Sequence, residues 1–167
     1  MIEFIKTRNV KDPVWNPVEN AGIDVFIPEK DAYTDEDIKN MSNGGAVVID
    51  GNSITILPHC DIKIPAGIKS KFPNNIALIA NNKSGIATKK KLVFGAAVID
   101  SAYQGEWPIH LINTSNNPQT IEFGQKIVQF IPHYIYTEGL VVRDVPEDEF
   151  FTEKTERGTG GFGSTGV

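Results

Sequence analysis

Short runs rich in Ile, Val and Phe, cut every few residues by Pro, Gly, Asn or Asp, constrain this chain more than any other feature. The runs are Ile2–Ile5, Asp24–Ile27, Ala46–Ile49, Ser53–Leu57, Asp61–Ile64, Ile76–Ala80, Leu92–Ile99, Ile109–Ile112, Thr120–Phe123, Lys126–Ile131 and Leu140–Val142. Branched and aromatic side chains pack well on a pleated surface, and turn residues at this interval suit a sandwich or barrel. In Ser53-Ile54-Thr55-Ile56 the strict alternation puts both isoleucines on one face. One segment departs: Thr34 offers an N-cap, acids follow in the first turn, and Ile38 and Met41 recur at helical spacing. No further segment predicts a helix that could cross over between parallel strands, so the expected class is all-β, an antiparallel sandwich with one short inserted helix. The 167 residues suit one domain. It is expected over residues 1–151, followed by a glycine-rich arm, 152–167, with few apolar side chains to hold it on a core.

Composition excludes several classes. Sixteen Lys+Arg against twenty-one Asp+Glu give a net charge of −5, which opposes general binding to nucleic acid or an anionic membrane. No apolar run approaches the ~18 residues of a membrane span, and the N-terminus does not read as a signal peptide. Cys60 stands alone, so no disulfide framework or cysteine metal site is expected. A soluble, cytoplasmic domain is the expectation.

Five stretches carry candidate chemistry. In the arm, Gly158, Gly160 and Gly163 form a G-x-G-x-x-G pattern, but no helix can follow and no lysine does, so neither a dinucleotide fold nor a P-loop fits. The physics underneath survives. Glycines such as Gly161 and Gly163 let backbone N–H groups turn toward an anion, Ser164 and Thr165 add hydroxyls, and Arg157 adds a planar fork. Phe162 could stack on a base; a free terminus is the plain alternative. Lys83, Ser84 and Gly85 read as a turn after an apolar run, either solvated or anion-binding. Asp100 follows the run Ala96–Ile99, where Gly95, Ala96, Ala97 and Val98 would let a flat ligand approach the backbone of a hairpin closed near Tyr103. A turn former at Asp100 and hairpin packing at Tyr103 are the plain alternatives. Asp24 lies between apolar residues and needs a cation or hydrogen bonds, and Gln129 interrupts an apolar strand. His59, His110 and His133 show no ligand spacing.

The order of these segments is more telling than any one of them. Ala21-Gly22-Ile23-Asp24, Lys83–Ala87, Val98–Glu106, Gly124–Gln129 and Arg157–Gly166 together resemble the five motifs of the homotrimeric dUTP diphosphatases, from about Asn20 to the last residue. The resemblance implies jelly-roll-like sandwiches assembled as a homotrimer, with active sites shared between subunits and each arm closing over a neighbour's site. It implies hydrolysis of dUTP to dUMP and pyrophosphate, with Mg²⁺ on the triphosphate as cofactor. Such an activity limits uracil in DNA and supplies dUMP for thymidylate synthesis. Asp100 would be the base for the attacking water. Asp24 would support the metal through water or a second-shell contact, and Gln129 would touch the phosphate or the water. Lys83, Ser84, Gly85, Arg157, Ser164 and Thr165 would hold phosphates. Ala97, Val98 and Tyr103 would read uracil and deoxyribose, with Phe162, flanked by Gly161 and Gly163, capping the base.

This chain departs from the family pattern in places. Lys83 stands where an arginine is usual, and the two are not equivalent toward phosphate. Ile23 replaces a common tyrosine, and Ala97 a common glycine. The Glu29–Asn52 stretch is longer than usual, and Trp107-Pro108 after the hairpin implies a strand edge or bulge. The related dCTP deaminases would need a glutamate at His110 and an arginine at Thr88, and this chain has neither. A diphosphatase for a modified deoxyuridine triphosphate, or a non-catalytic trimer that binds nucleotide or a regulatory protein, remain the other readings.

Overall fold

The computed structural model describes residues 1–160. Two compact units divide at Tyr136 and Thr137. In the first, the strands among the described residues are β1 (Glu3–Lys6), β2 (Ile23–Phe26), β3 (Val47–Asp50), β4 (Ser53–Ile56), β5 (Asp61–Pro65) and β6 (Ile68–Lys71), followed by β7 (Ile76–Asn82), β8 (Leu92–Phe94), β9 (Val98–Ile99), β10 (Pro108–Asn113), β11 (Gln119–Glu122) and β12 (Lys126–Tyr134). Helices α1 (Asp35–Met41) and α2 (Ser84–Lys90) interrupt them. The second unit contains one short helix, α3 (Glu147–Phe150).

The strands form antiparallel sheets in the orders β2-β12-β7-β9, β5-β10-β8, β11-β4-β3 and β1-β6. Alternation drives the packing. In β4 both Ile54 and Ile56 are fully buried, and β10 turns Ile109, Leu111 and Asn113 inward while His110 faces the other way. Trp107 anchors the core: its ring lies 4.5 Å from Phe130 and 5.3 Å from Phe4, and its indole N–H donates to Ser70 Oγ at 3.0 Å. Pro108 sits at the first position of β10, opposite Pro65, where a missing N–H costs the ladder little.

Helix α1 forms where the capping pattern predicts it. Thr34 caps it, and Asp37 returns the bond to the Thr34 backbone, a complete capping box. Met41 supplies its buried contact.

Three expectations are corrected. Leu140–Val142 forms no strand; its side chains are exposed and no ladder partner reaches it among the described residues. Lys83–Gly85 is not a free turn: Lys83 is the residue before α2, and Ser84 and Gly85 open it. The lysine run explains why this short helix is tolerated, since Lys89 and Lys90 lie at the negative end of its dipole and Lys91 closes it in the left-handed region at φ 54°. Leu92–Ile99 is not one strand. It breaks at Gly95–Ala97, so β8 pairs with β10 while β9 pairs with β7 in another sheet.

Candidate active site

The break at Gly95 has a local cause. A Cβ there would lie 2.2 Å from His110 Nδ1, so only glycine admits the imidazole. Gly95 N–H donates to the His110 carbonyl at 2.9 Å, and Ala96 N–H donates to His110 Nδ1 at 2.8 Å. The chain then enters the second sheet, where the Ala97 carbonyl accepts from Ala80 N–H at 2.6 Å. Val98 is 57% exposed on a two-residue strand, leaving its surroundings open to a ligand. Asp100 follows at the strand's end. Its carbonyl accepts from Tyr103 N–H, while its exposed carboxylate has no partner among the described residues. The Tyr103 hydroxyl donates to the Glu106 carbonyl at 2.9 Å and occupies the space a Gly105 side chain would need. Ala96 and Tyr103 open onto a groove of about 970 Å³, walled by α1, β5 and His110.

Asp24 occupies a different place. On β2 it pairs in register with Gln129 of β12 and is 4% exposed. One carboxylate oxygen accepts from Lys83 Nζ at 2.5 Å and the other from Lys126 Nζ at 3.0 Å. Burial pushes the Asp24 carboxyl up, but the hydrogen bonds and charges of Lys83 and Lys126 outweigh it and hold the group below its ordinary value. Above this anchored pair lies a depression of about 370 Å³ lined by Lys83, Ser84, Gly85, Ile86, Lys126 and Gln129. The Ser84 and Gly85 N–H groups that open α2 have no intrahelical acceptors, whereas Ile86 and Ala87 N–H donate to the Lys83 carbonyl; the Ser84 hydroxyl has no partner among the described residues. Gln129 donates to the Asn82 carbonyl at 3.2 Å, and Gly22 leaves room beside it: a Cβ there would come within 3.0 Å of Gln129 Oε1. Two ammonium groups, a hydroxyl, an amide and a helix start form a cradle for an anion.

The structure therefore groups Asp24, Lys83, Ser84, Gly85 and Gln129 around one depression, while Ala97, Val98, Asp100 and Tyr103 cluster along the Gly95–Tyr103 segment. Arg157 belongs to the second unit, where its Nε donates to the Gly160 carbonyl at 2.9 Å. The expectations for Gly161, Phe162, Gly163, Ser164 and Thr165 lie outside the described residues. Sequence reasoning gave no role to Lys126 or His110. The register between β2 and β12 brings Lys126 to Asp24, and no spacing rule in a single sequence signals that.

Asp24 does not fit Mg²⁺ as a direct ligand. Both oxygens already bind ammonium groups, and a dication approaching them would meet two like charges. Among the described residues no group of three His, Cys, Asp or Glu side chains could hold a metal ion. No helix among them is long and apolar enough to cross a membrane.

The architecture is that of the jelly-roll-like dUTPase sandwiches. It superposes on Staphylococcus bacteriophage 80alpha dUTPase with dUPNHPP at a TM-score of 0.74, covering 100% of this chain and 99% of that one at 21% identity. It also matches a mutant dUTPase from phage phi11 of S. aureus, whose structure reveals coordination of a structural Mg(II) ion, at a TM-score of 0.65 and 18% identity over 88% of this chain and 99% of that one. The dUTPase family model matches residues 49–166. Among curated relatives, the deoxyuridine 5'-triphosphate nucleotidohydrolase of Wolbachia sp. subsp. Brugia malayi is 38% identical over 70% of this chain and 73% of its own length. Its namesake from the Wolbachia of Drosophila simulans is 31% identical over 92% and 86%. The chain belongs to the dUTPase family.

Proposed function

We propose that this chain hydrolyses dUTP to dUMP and pyrophosphate. The observation that carries the proposal is the Lys83–Lys126 pair held over Asp24 beside Ser84, a built anion cradle in a chain of net charge −5. The family and the curated relatives' name supply the substrate.

The segment Ala97–Val98 reads the uracil edge through its backbone, and close approach at ring C5 leaves no room for a thymine methyl. Tyr103 lies against the deoxyribose and disfavours a ribose 2'-hydroxyl. Lys83, Ser84 and Gly85 take phosphate oxygens, with Lys126 supplying a second ammonium. Gln129 orients the phosphate or the water. The Asp100 carboxylate accepts a proton from water as its oxygen attacks the α-phosphorus, and the bond to the bridging oxygen breaks to release pyrophosphate. Carboxylates are weak bases toward water, so positioning and charge neutralisation supply most of the acceleration. Mg²⁺ would arrive with dUTP and supply charge neutralisation at its phosphates; Asp24, with both oxygens on lysines, would not hold it directly.

A homotrimer completes the site. The base-reading segment and the anion cradle lie on separate patches of one chain, which suits a site assembled from different subunits. Tyr134 and Ile135 at the end of β12, and Leu140, Val141 and Val142 in the second unit, expose apolar surface that a subunit contact would cover. The arm, 152–167, then closes on a neighbour's nucleotide through Arg157, Ser164, Thr165 and Phe162.

The test is pyrophosphate release with Mg²⁺ and dUTP, dCTP, dTTP or UTP. Release from dUTP alone is expected. Ammonia from dCTP, or no product from any, would overturn the proposal.

A further inference from the structure

His110 plays no part in the chemistry above, yet it touches the segment that reads the base. Its Nδ1 accepts the Ala96 N–H at 2.8 Å, and a backbone amide can only donate. The lone pair must therefore be on Nδ1, and in the neutral ring the proton is on Nε2, where it points at Asp61 Oδ2, 3.0 Å away. Asp61 fixes the tautomer as a carboxylate fixes a metal-bound or catalytic histidine. Gly95 lets the ring in, and the Gly95 N–H bond to the His110 carbonyl keeps the two strands in register. Ala97 and Val98 follow directly on Ala96.

We propose that His110 is a positioning residue for base recognition. In its Nε2-protonated neutral form it holds the Gly95–Val98 backbone in the shape that accepts uracil, and protonation of Nδ1 releases that segment. Two donors cannot face each other at hydrogen-bond distance, so a charged ring must turn or push Ala96 away. This inference rests on the assignment of Ala97 and Val98 to the uracil subsite.

The surroundings permit the switch. From β5, Asp61 contacts the ring and Lys63 is its register partner. Glu106 and Asp37 line the same groove, but both carboxylates are held by Arg8, at 2.7 Å and 2.9 Å. Asp61 is thus the carboxylate in contact with the imidazole. The groove exposes the Asp61 side chain by 48% and the His110 side chain by 23%, so protons reach the pair from solvent.

The experiment has an arm that needs no substrate. In ¹H–¹⁵N spectra of the free protein, the neutral ring should carry its proton on Nε2 alone, and acid that protonates Nδ1 should shift the Ala96 amide together with the ring. A neutral ring with its proton on Nδ1, or an Ala96 amide indifferent to the ring, would overturn the proposal. In kinetics, loss of one hydrogen bond should raise KM for dUTP about fivefold on acidification while kcat changes far less. His110→Phe should show the raised KM at every pH, and His110→Gln, whose amide oxygen can accept from Ala96, should recover part of it. Comparing variants with the native chain cancels the substrate's own titration. A His110→Phe variant with native KM and native pH dependence would sink the idea. A native chain that hydrolyses no dUTP would instead overturn the proposed activity, and the spectra would still decide the role of His110.

Discussion

Asp100 and Asp24 show how position puts two identical side chains in different surroundings. Asp100 is exposed and its carboxylate has no partner among the described residues, which suits the proposed role of base for the attacking water. Asp100→Asn should retain a non-hydrolysable dUTP analogue at near-native affinity while pyrophosphate release falls by roughly 10²–10⁴. Near-native turnover would remove Asp100 from the mechanism. Asp24 is buried beneath two lysines, so Asp24→Ala would leave two ammonium groups facing each other. Breaking a fully buried pair costs roughly 3–5 kcal/mol; with Lys126 44% exposed, about 2 kcal/mol is expected in a urea titration, together with weaker phosphate binding. A third carboxylate sets an acid limit. Hydrogen bonds from Arg8 first, then from the Thr34 backbone, hold Asp37 down at about 2 from an ordinary 3.8. Because the folded value is the lower one, its stabilisation is complete above the ordinary value and is lost as the pH falls toward 2. Thermal melts over that interval should fall less steeply for Asp37→Asn than for the native chain.

At the scale of elements, the sheet-switching run governs the shape of the proposed base site. Gly95→Ala would drive a methyl into His110 and should cost about 1–3 kcal/mol, while raising KM for dUTP more than it lowers kcat. Thermal melting and steady-state kinetics would show it. This run also marks the limit of what the sequence disclosed. Leu92–Ile99 reads as one strand because its apolar residues are nearly continuous, and nothing in local propensity says that a histidine eleven residues beyond Ile99 will split it. Helix α1 was legible because its capping box is local, spanning Thr34 to Asp37. β4 was legible because its alternation is strict. Helix α2 was not: seven residues beginning Ser-Gly carry no cap signal, and the segment is held by what precedes and follows it. Of the candidate site, motif order singled out residues to examine, whereas the lysine pair on Asp24 depends on strand register.

For the whole molecule, the prediction concerns assembly. Ending the chain at Glu156 removes Arg157 and the glycine-rich segment but leaves the sandwich core intact. Sedimentation should give the same oligomer as the full chain, the proposed trimer, and pyrophosphate release should fall by at least about 100-fold, the scale on which losing a closing element that positions reactants is felt. Native kinetics from that truncation would show the arm to be dispensable. One further consequence follows from the break at Gly95–Ala97. Because consecutive residues there are stitched into two different sheets, the specificity segment cannot melt by itself. Heating should therefore leave the preference for uracil over thymine unchanged until both sheets give way together, with no temperature at which the protein is folded but indiscriminate.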